Sequence, residues 1–128
     1  MDGITELGLL KVDFLGLVTL TIMAKACEYI KARGGPDLNL SKIPIDDPDV
    51  YKFISEGHTV GLFQMEGTGM TRYIMQMRPQ TVNHVIAIVA LFRPGPMEII
   101  PNFIERMHGR DPVNYQHPLL EPILNETY

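Results

Sequence analysis

The stretch Leu9-Leu10-Lys11-Val12-Asp13-Phe14-Leu15-Gly16-Leu17 places one ammonium and one carboxylate inside an otherwise apolar run. The run predicts a strand, in which side chains alternate between faces. Lys11, Asp13 and Leu15 then share one face, and Leu10, Val12 and Phe14 share the other. The second face reads as core. The first carries two opposite charges where a strand would ordinarily bury leucine. Charges at such positions are paired, solvated at a cleft, or bound to a metal. Spacing alone leaves two readings open. One is a strand at the rim of a domain with a weak surface ion pair. The other is a carboxylate placed for chemistry.

After this run, Val18 to Arg33 reads as a helix, with Leu20, Met23, Ala24, Cys27 and Ile30 at three- and four-residue spacing. Lys31 and Arg33 suit its C-terminal end, and Gly34-Gly35-Pro36 stops it. Cys27 falls on the apolar face and reads as core, not as a nucleophile. A loop from Asp37 to Ile45 leads to Asp46-Asp47-Pro48-Asp49. These carboxylates could hold a divalent cation. The better reading is a helix start, with Asp47 as N-cap, Pro48 at the first helical position and Asp49 complementing the dipole. That helix runs from Pro48 to Ser55 and ends at Glu56-Gly57.

Val60 to Glu66 reads as an extended or turn segment, and Gly67-Thr68-Gly69 opens a helix to Met77. A Gly-rich turn before a helix can cradle phosphate on free amides. Here Arg72 stands where a dinucleotide fingerprint has its third glycine, and plain flexibility at a helix entry explains the glycines as well. Pro79 to Phe92 has hardly any polar face. Its length favours a buried helix over a buried strand, although its β-branched residues favour the strand. Arg93-Pro94-Gly95-Pro96 then makes a stiff turn. Arg93 either satisfies the helix end or is aimed at an anion. Ile99 to His108 is a further helix, whose C-terminal end carries a small basic cluster of Arg106, His108 and Arg110, read as cations at a helix terminus, and Pro118 to Asn125 is a short last helix.

The chain has 128 residues, 45% of them hydrophobic, which suffices for one folded domain. Its net charge of -4 argues against a self-sufficient nucleic-acid binder but leaves room for a local basic patch. The single Cys27 cannot close an internal disulfide, which points to a reducing compartment. The N-terminal residues have no signal-peptide pattern, and no run is long and apolar enough to span a membrane. Both ends read as cut, as expected of a piece of a longer chain. One Cys and four scattered His give no zinc spacing. No P-loop, Ser-His-Asp signature or repeat is visible.

Four stretches, in this order, resemble one family: Gly8 to Leu17; Phe63-Gln64-Met65-Glu66 with Gly69-Met70; Val89-Ala90-Leu91-Phe92-Arg93-Pro94-Gly95-Pro96; and Arg106-Met107-His108-Gly109 followed by His117-Pro118. The family is the alpha subunit of bacterial DNA polymerase III, the C-family replicative polymerase. The resemblance implies a mainly α fragment with a short β element (α+β). Residues 1–16 would be the last strand of the palm and residues 17–128 the first part of the helical fingers. It further implies template-directed nucleotidyl transfer from a dNTP to a primer 3′-OH with two Mg²⁺ ions. Asp13 would be a metal ligand and, with Lys11, a catalytic residue. Arg93, Gln64, Gly69 and Arg72 would contact nucleotide or DNA. The partners implied are primer-template DNA, dNTP, other replicase subunits and the remainder of the polymerase polypeptide, with no membrane. The location implied is the cytoplasm, at the bacterial nucleoid-associated replisome. Two further palm aspartates would lie upstream of Met1, so the segment alone is expected to be inactive. The competing class is a non-enzymatic helical interaction module, favoured by acidic charge and eight methionines. One piece of a split polymerase is a third reading.

Overall fold

The computed structural model describes residues 2–128. It divides into two compact units, one ending at Ile43 and one spanning Pro44–Tyr128.

In the first unit, α1 covers Asp2–Glu6 and α2 covers Val18–Ala32. Between them residues 9–17 form no regular element and pair with no other segment. The expected palm strand is therefore corrected: no β-strand exists among the described residues, and Asp2–Glu6 is helical. (Met1, where that expected span began, lies outside the described residues.) The physical reason is that a strand is completed by a neighbour. Its backbone N–H and C=O groups need a second chain segment beside them, and this unit supplies none. The same absence leaves Leu10, Phe14 and Leu15 almost wholly exposed, at 87%, 96% and 99%.

α2 ends as its sequence dictates. Gly34 sits at φ 81, its N–H donates to Lys31 O at 3.0 Å, and Gly35 N donates to Ile30 O at 2.9 Å. This is a Schellman end, for which glycine supplies the left-handed residue. Cys27 is half-buried, and no residue of α2 is fully buried, so the reading of Cys27 as core is also corrected. Helical spacing marks a face that could be covered; it does not supply the cover. A 3-10 turn at Leu40–Lys42 follows, with the Asn39 side chain accepting from Ser41 N at 3.0 Å.

The second unit is built from α3 (Pro48–Ser55), α4 (Thr68–Met77), α5 (Val82–Leu91) and α6 (Ile100–Met107), with a short α7 (Glu121–Leu124). Asp47 caps α3 by accepting from Asp49 N at 3.0 Å, and Pro48 fills the first turn. α3 packs on α4, and α4 on α6. The core they share holds Tyr51 and Ile54 from α3, Met65 from the preceding turn, Met70, Ile74 and Met77 from α4, Ile88 from α5, and Ile100, Phe103 and Ile104 from α6. Three of these ten are methionines, whose unbranched side chains fill irregular gaps between helices of different tilt.

α5 is a helix, as its length suggested, yet only Ile88 is fully buried and Ile86 is 59% exposed. Residues two positions apart on a helix lie about 200° apart around its axis, so burying one exposes the other. α6 ends like α2: Gly109 is at φ 68, its N–H donates to Arg106 O, and Arg110 N donates to Glu105 O at 2.8 Å.

Candidate nucleotide and nucleic-acid site

Lys11 and Asp13 lie in the unpaired segment before α2. Their Nζ and Oδ1 atoms are 3.1 Å apart. Both are exposed, the Asp13 side chain by 76%, so water screens the pair and it contributes little stability. A single carboxylate with an ammonium at contact distance does not form a divalent-cation site. Among the described residues, no group of three or more acidic, His or Cys side chains could hold a metal. The residues present therefore do not by themselves fit two Mg²⁺ ions.

In the second unit, the turns before α4 place Gln64. Leu62 N donates to Thr59 O and Met65 N to Leu62 O, so Gly61 and Gln64 each hold the third position of a β-turn. Gly61 adopts φ 79 there without cost, whereas Gln64 adopts φ 61 against its own Cβ. Gln64 is exposed, and its neighbour Met65 is buried. Thr59 is buried beneath these turns, and its hydroxyl meets the Thr71 hydroxyl at 2.6 Å. Thr71 in turn donates to Gly67 O at 3.1 Å, which ties the entry of α4 to the turn.

Gly69 serves packing. A Cβ there would meet the Phe92 ring at 3.1 Å. The Tyr73 ring meets Phe92 edge-on, with centroids 5.9 Å apart. The structure thus brings Gly69 to the residue before Arg93, although the two lie far apart in sequence. Phe92 itself forms an inverse γ-turn, with φ -77, ψ 71 and Arg93 N donating to Leu91 O at 2.8 Å. Arg93 O accepts from Met97 N at 3.2 Å, and Gly95 turns the chain at φ 99. The Arg93 guanidinium is exposed and has no acidic partner among the described residues. Arg72 is an exposed cation of α4. It lines an open cavity of about 400 Å³ with Glu66, Thr68, Thr71 and Met75.

The basic cluster at the C-terminal end of α6 is largely neutralised. Arg106 Nε lies 3.0 Å from Asp111 Oδ2, and Arg110 Nη1 lies 2.8 Å from Glu105 Oε1. Reading these cations as helix-terminal charges misses both partners. The sequence hinted at them, since each acid lies five residues from its arginine.

His84 is a residue whose role the sequence did not disclose. Thr81 caps α5 by accepting from His84 N at 3.4 Å, while the His84 ring Nδ1 accepts from Gln80 N at 3.2 Å. This is a reciprocal arrangement close to a capping box, with His in the place of Glu. Burial, and then the charge of His108, lower the pKa of His84 below its ordinary 6.5. The His108 Nε2 atom is itself buried without a partner among the described residues.

Residues 19–128 match the family model for the bacterial DNA polymerase III alpha subunit finger domain. Over its whole length the chain is 47% identical to the DNA polymerase III subunit alpha of Aquifex aeolicus, of which it covers 11%. It is 46% identical to that of Chlamydia trachomatis, covering 10%, and 44% identical to that of Thermus aquaticus, covering 11%. The chain belongs to the bacterial DNA polymerase III alpha subunit family. It spans about one tenth of the length of these relatives.

Proposed function

We propose that this chain is the end of the palm and the first part of the fingers of a bacterial replicative DNA polymerase, working in template-directed nucleotidyl transfer from dNTP to a primer 3′-OH. The observation that carries this reading is the match to alpha subunits over the whole chain, including the Lys11–Asp13 segment that precedes the fingers. In this reading residues 1–16 are the palm's contribution and residues 17–128 the fingers'.

Asp13 contributes one carboxylate to a divalent-cation centre, and Mg²⁺ there would lower the pKa of the primer hydroxyl. The other ligands would come from the rest of the protein, since no group of three or more acidic, His or Cys side chains among the described residues could hold a metal. Lys11 pairs with the Asp13 carboxylate and can turn to a phosphate once that carboxylate is ligated. From the fingers, the unpaired Arg93 grips a phosphate of the incoming nucleotide. Gln64, from the turn before α4, and Arg72, on α4 itself, meet nucleotide or DNA, with Gly69 giving Phe92 the room that places Arg93. Primer-template DNA and the other replicase subunits are the partners of the whole protein, which works in the cytoplasm at the nucleoid-associated replisome. The isolated 128 residues do not polymerise.

The test is primer extension by a complete subunit carrying this sequence. Asp13→Asn abolishes extension and leaves primer-template affinity within about twofold, as expected when only the transition state loses a contact. Equal loss of binding and extension would make Asp13 a structural residue. Extension by the isolated 128 residues would overturn the assignment of the remaining ligands to other parts of the protein.

A further inference from the structure

The second unit carries six lysine and arginine side chains, and two of them, Arg106 and Arg110, are in ion pairs. Lys52, Arg72, Arg78 and Arg93 have no acidic partner among the described residues. Lys52 and Arg78, though distant in sequence, line the same open cavity of about 250 Å³ together with Pro48, Tyr51, Ser55 and Gln80. No carboxylate lines it. The Tyr51 hydroxyl donates to Ile45 O, and Ser55 Oγ donates to Tyr51 O at 2.6 Å, so both hydroxyl protons are committed within the fold. The remaining side-chain donors in the lining are the Lys52 ammonium, the Arg78 guanidinium and the Gln80 carboxamide.

Arg78 is held there against its own preference. It ends α4 at φ 49, ψ 66, a left-handed conformation that favours glycine. Pro79 follows it and is buried, which disfavours the helical alternative for the residue before it.

We propose that Lys52, Arg78 and Gln80 form a binding site for a backbone phosphate of the DNA. This inference rests on the polymerase reading above and adds a contact on the opposite end of α4 from Gly69. Two cations suit a singly charged phosphodiester. A nucleotide triphosphate travels with a divalent cation, and the cavity offers no carboxylate to receive one. The chain carries a net charge of -4, so attraction for DNA must come from such local sites and not from the chain as a whole.

The experiment measures primer-template binding by fluorescence anisotropy across a salt series, in a complete subunit carrying this sequence. Steady-state primer extension is measured beside it. The variants are Lys52→Ala, Arg78→Gly and, as a charge-loss control, Arg110→Ala. Arg78→Gly relieves the left-handed strain, so a fall in its DNA affinity cannot be put down to a damaged fold when its melting temperature holds or rises. Each of the two site variants should weaken DNA binding roughly fivefold at moderate salt and reduce the slope of log affinity against log salt by about 0.9. Arg110→Ala should leave that slope unchanged. Unchanged DNA binding and slope in both site variants would overturn the proposal while leaving the polymerase reading intact. A rise confined to the KM for nucleotide would also overturn it, by moving the phosphate from the DNA to the incoming nucleotide. Failure of the unaltered subunit to bind and extend primer-template would sink the polymerase reading, and this site with it.

Discussion

Arg93 gathers the local constraints of the fingers segment at one side chain. An inverse γ-turn at Phe92 delivers it, Pro94 and Gly95 fix the bend on its C-terminal side, and no acid competes for the guanidinium among the described residues. Arg93→Ala in the complete subunit is expected to raise the apparent KM for nucleotide roughly tenfold, as for the loss of one charge-assisted hydrogen bond. Its effect on stability should stay within about 0.5 kcal/mol, as for an exposed side chain with no partner to orphan. Steady-state kinetics and thermal unfolding of the same variant check both; a fall in stability alone would make Arg93 a helix-terminal cation. His84 gives a second prediction. Its folded pKa lies below 6.5 because burial, then His108, disfavour the charged ring, and its Nδ1 is already accepting from Gln80. The unfolded chain thus binds the extra proton first. Stability from this residue is complete above pH 6.5 and is lost as pH falls toward the lowered folded value. Melting temperatures taken from about pH 7 down to about pH 5 should fall, and His84→Ala should flatten that fall. That Lys11 and Asp13 form a surface ion pair was legible in the sequence, because opposite charges two residues apart can meet without help from any other element. That Gly69 makes room for Phe92 was not, because the contact belongs to two helices whose packing no local rule fixes.

At the scale of the element, the sequence spoke most clearly where a helix begins or stops. Asp47 and Pro48 start α3, Gly34 ends α2 and Gly109 ends α6, each through backbone chemistry confined to a few neighbouring residues. Asp47→Ala should cost about 1 kcal/mol, the usual loss for a capping side chain, read as a lowered urea midpoint at unchanged slope. The run from Leu9 to Leu17 failed as a strand for the opposite reason. Alternation identifies a segment able to be a strand, but pairing requires a neighbour, and periodicity does not reveal whether one is present. α5 shows the intermediate case. Its continuous apolar character suggested burial all round, while the packing of four helices leaves a face of it open at Ile86. The cavity between Lys52 and Arg78 lay beyond sequence reading altogether, since it exists only once α3 packs beside the end of α4.

For the whole molecule, the two units differ in what they bury. Every fully buried apolar residue among those described lies between Tyr51 and Ile104. Ile74 lies within that core with no exposed surface, and Ile74→Ala should destabilise the second unit by about 2–5 kcal/mol through lost contacts and the cavity left behind. Leu15→Ala, at 99% exposure, should change the melting temperature hardly at all. A comparable effect from both would contradict the location of the core.

The second unit's core joins α3 to α4 and, across the intervening α5, α4 to α6. These contacts close loops of roughly ten to forty residues, and the entropic cost of closing a loop grows only slowly with its length. Residues 9–17 of the first unit pair with no other segment, and no described residue up to Ile43 is buried. The second unit therefore closes its core with its own helices alone. A slow step in the folding of a chain carrying this sequence would belong to its first 43 residues, where no such core forms among the described residues.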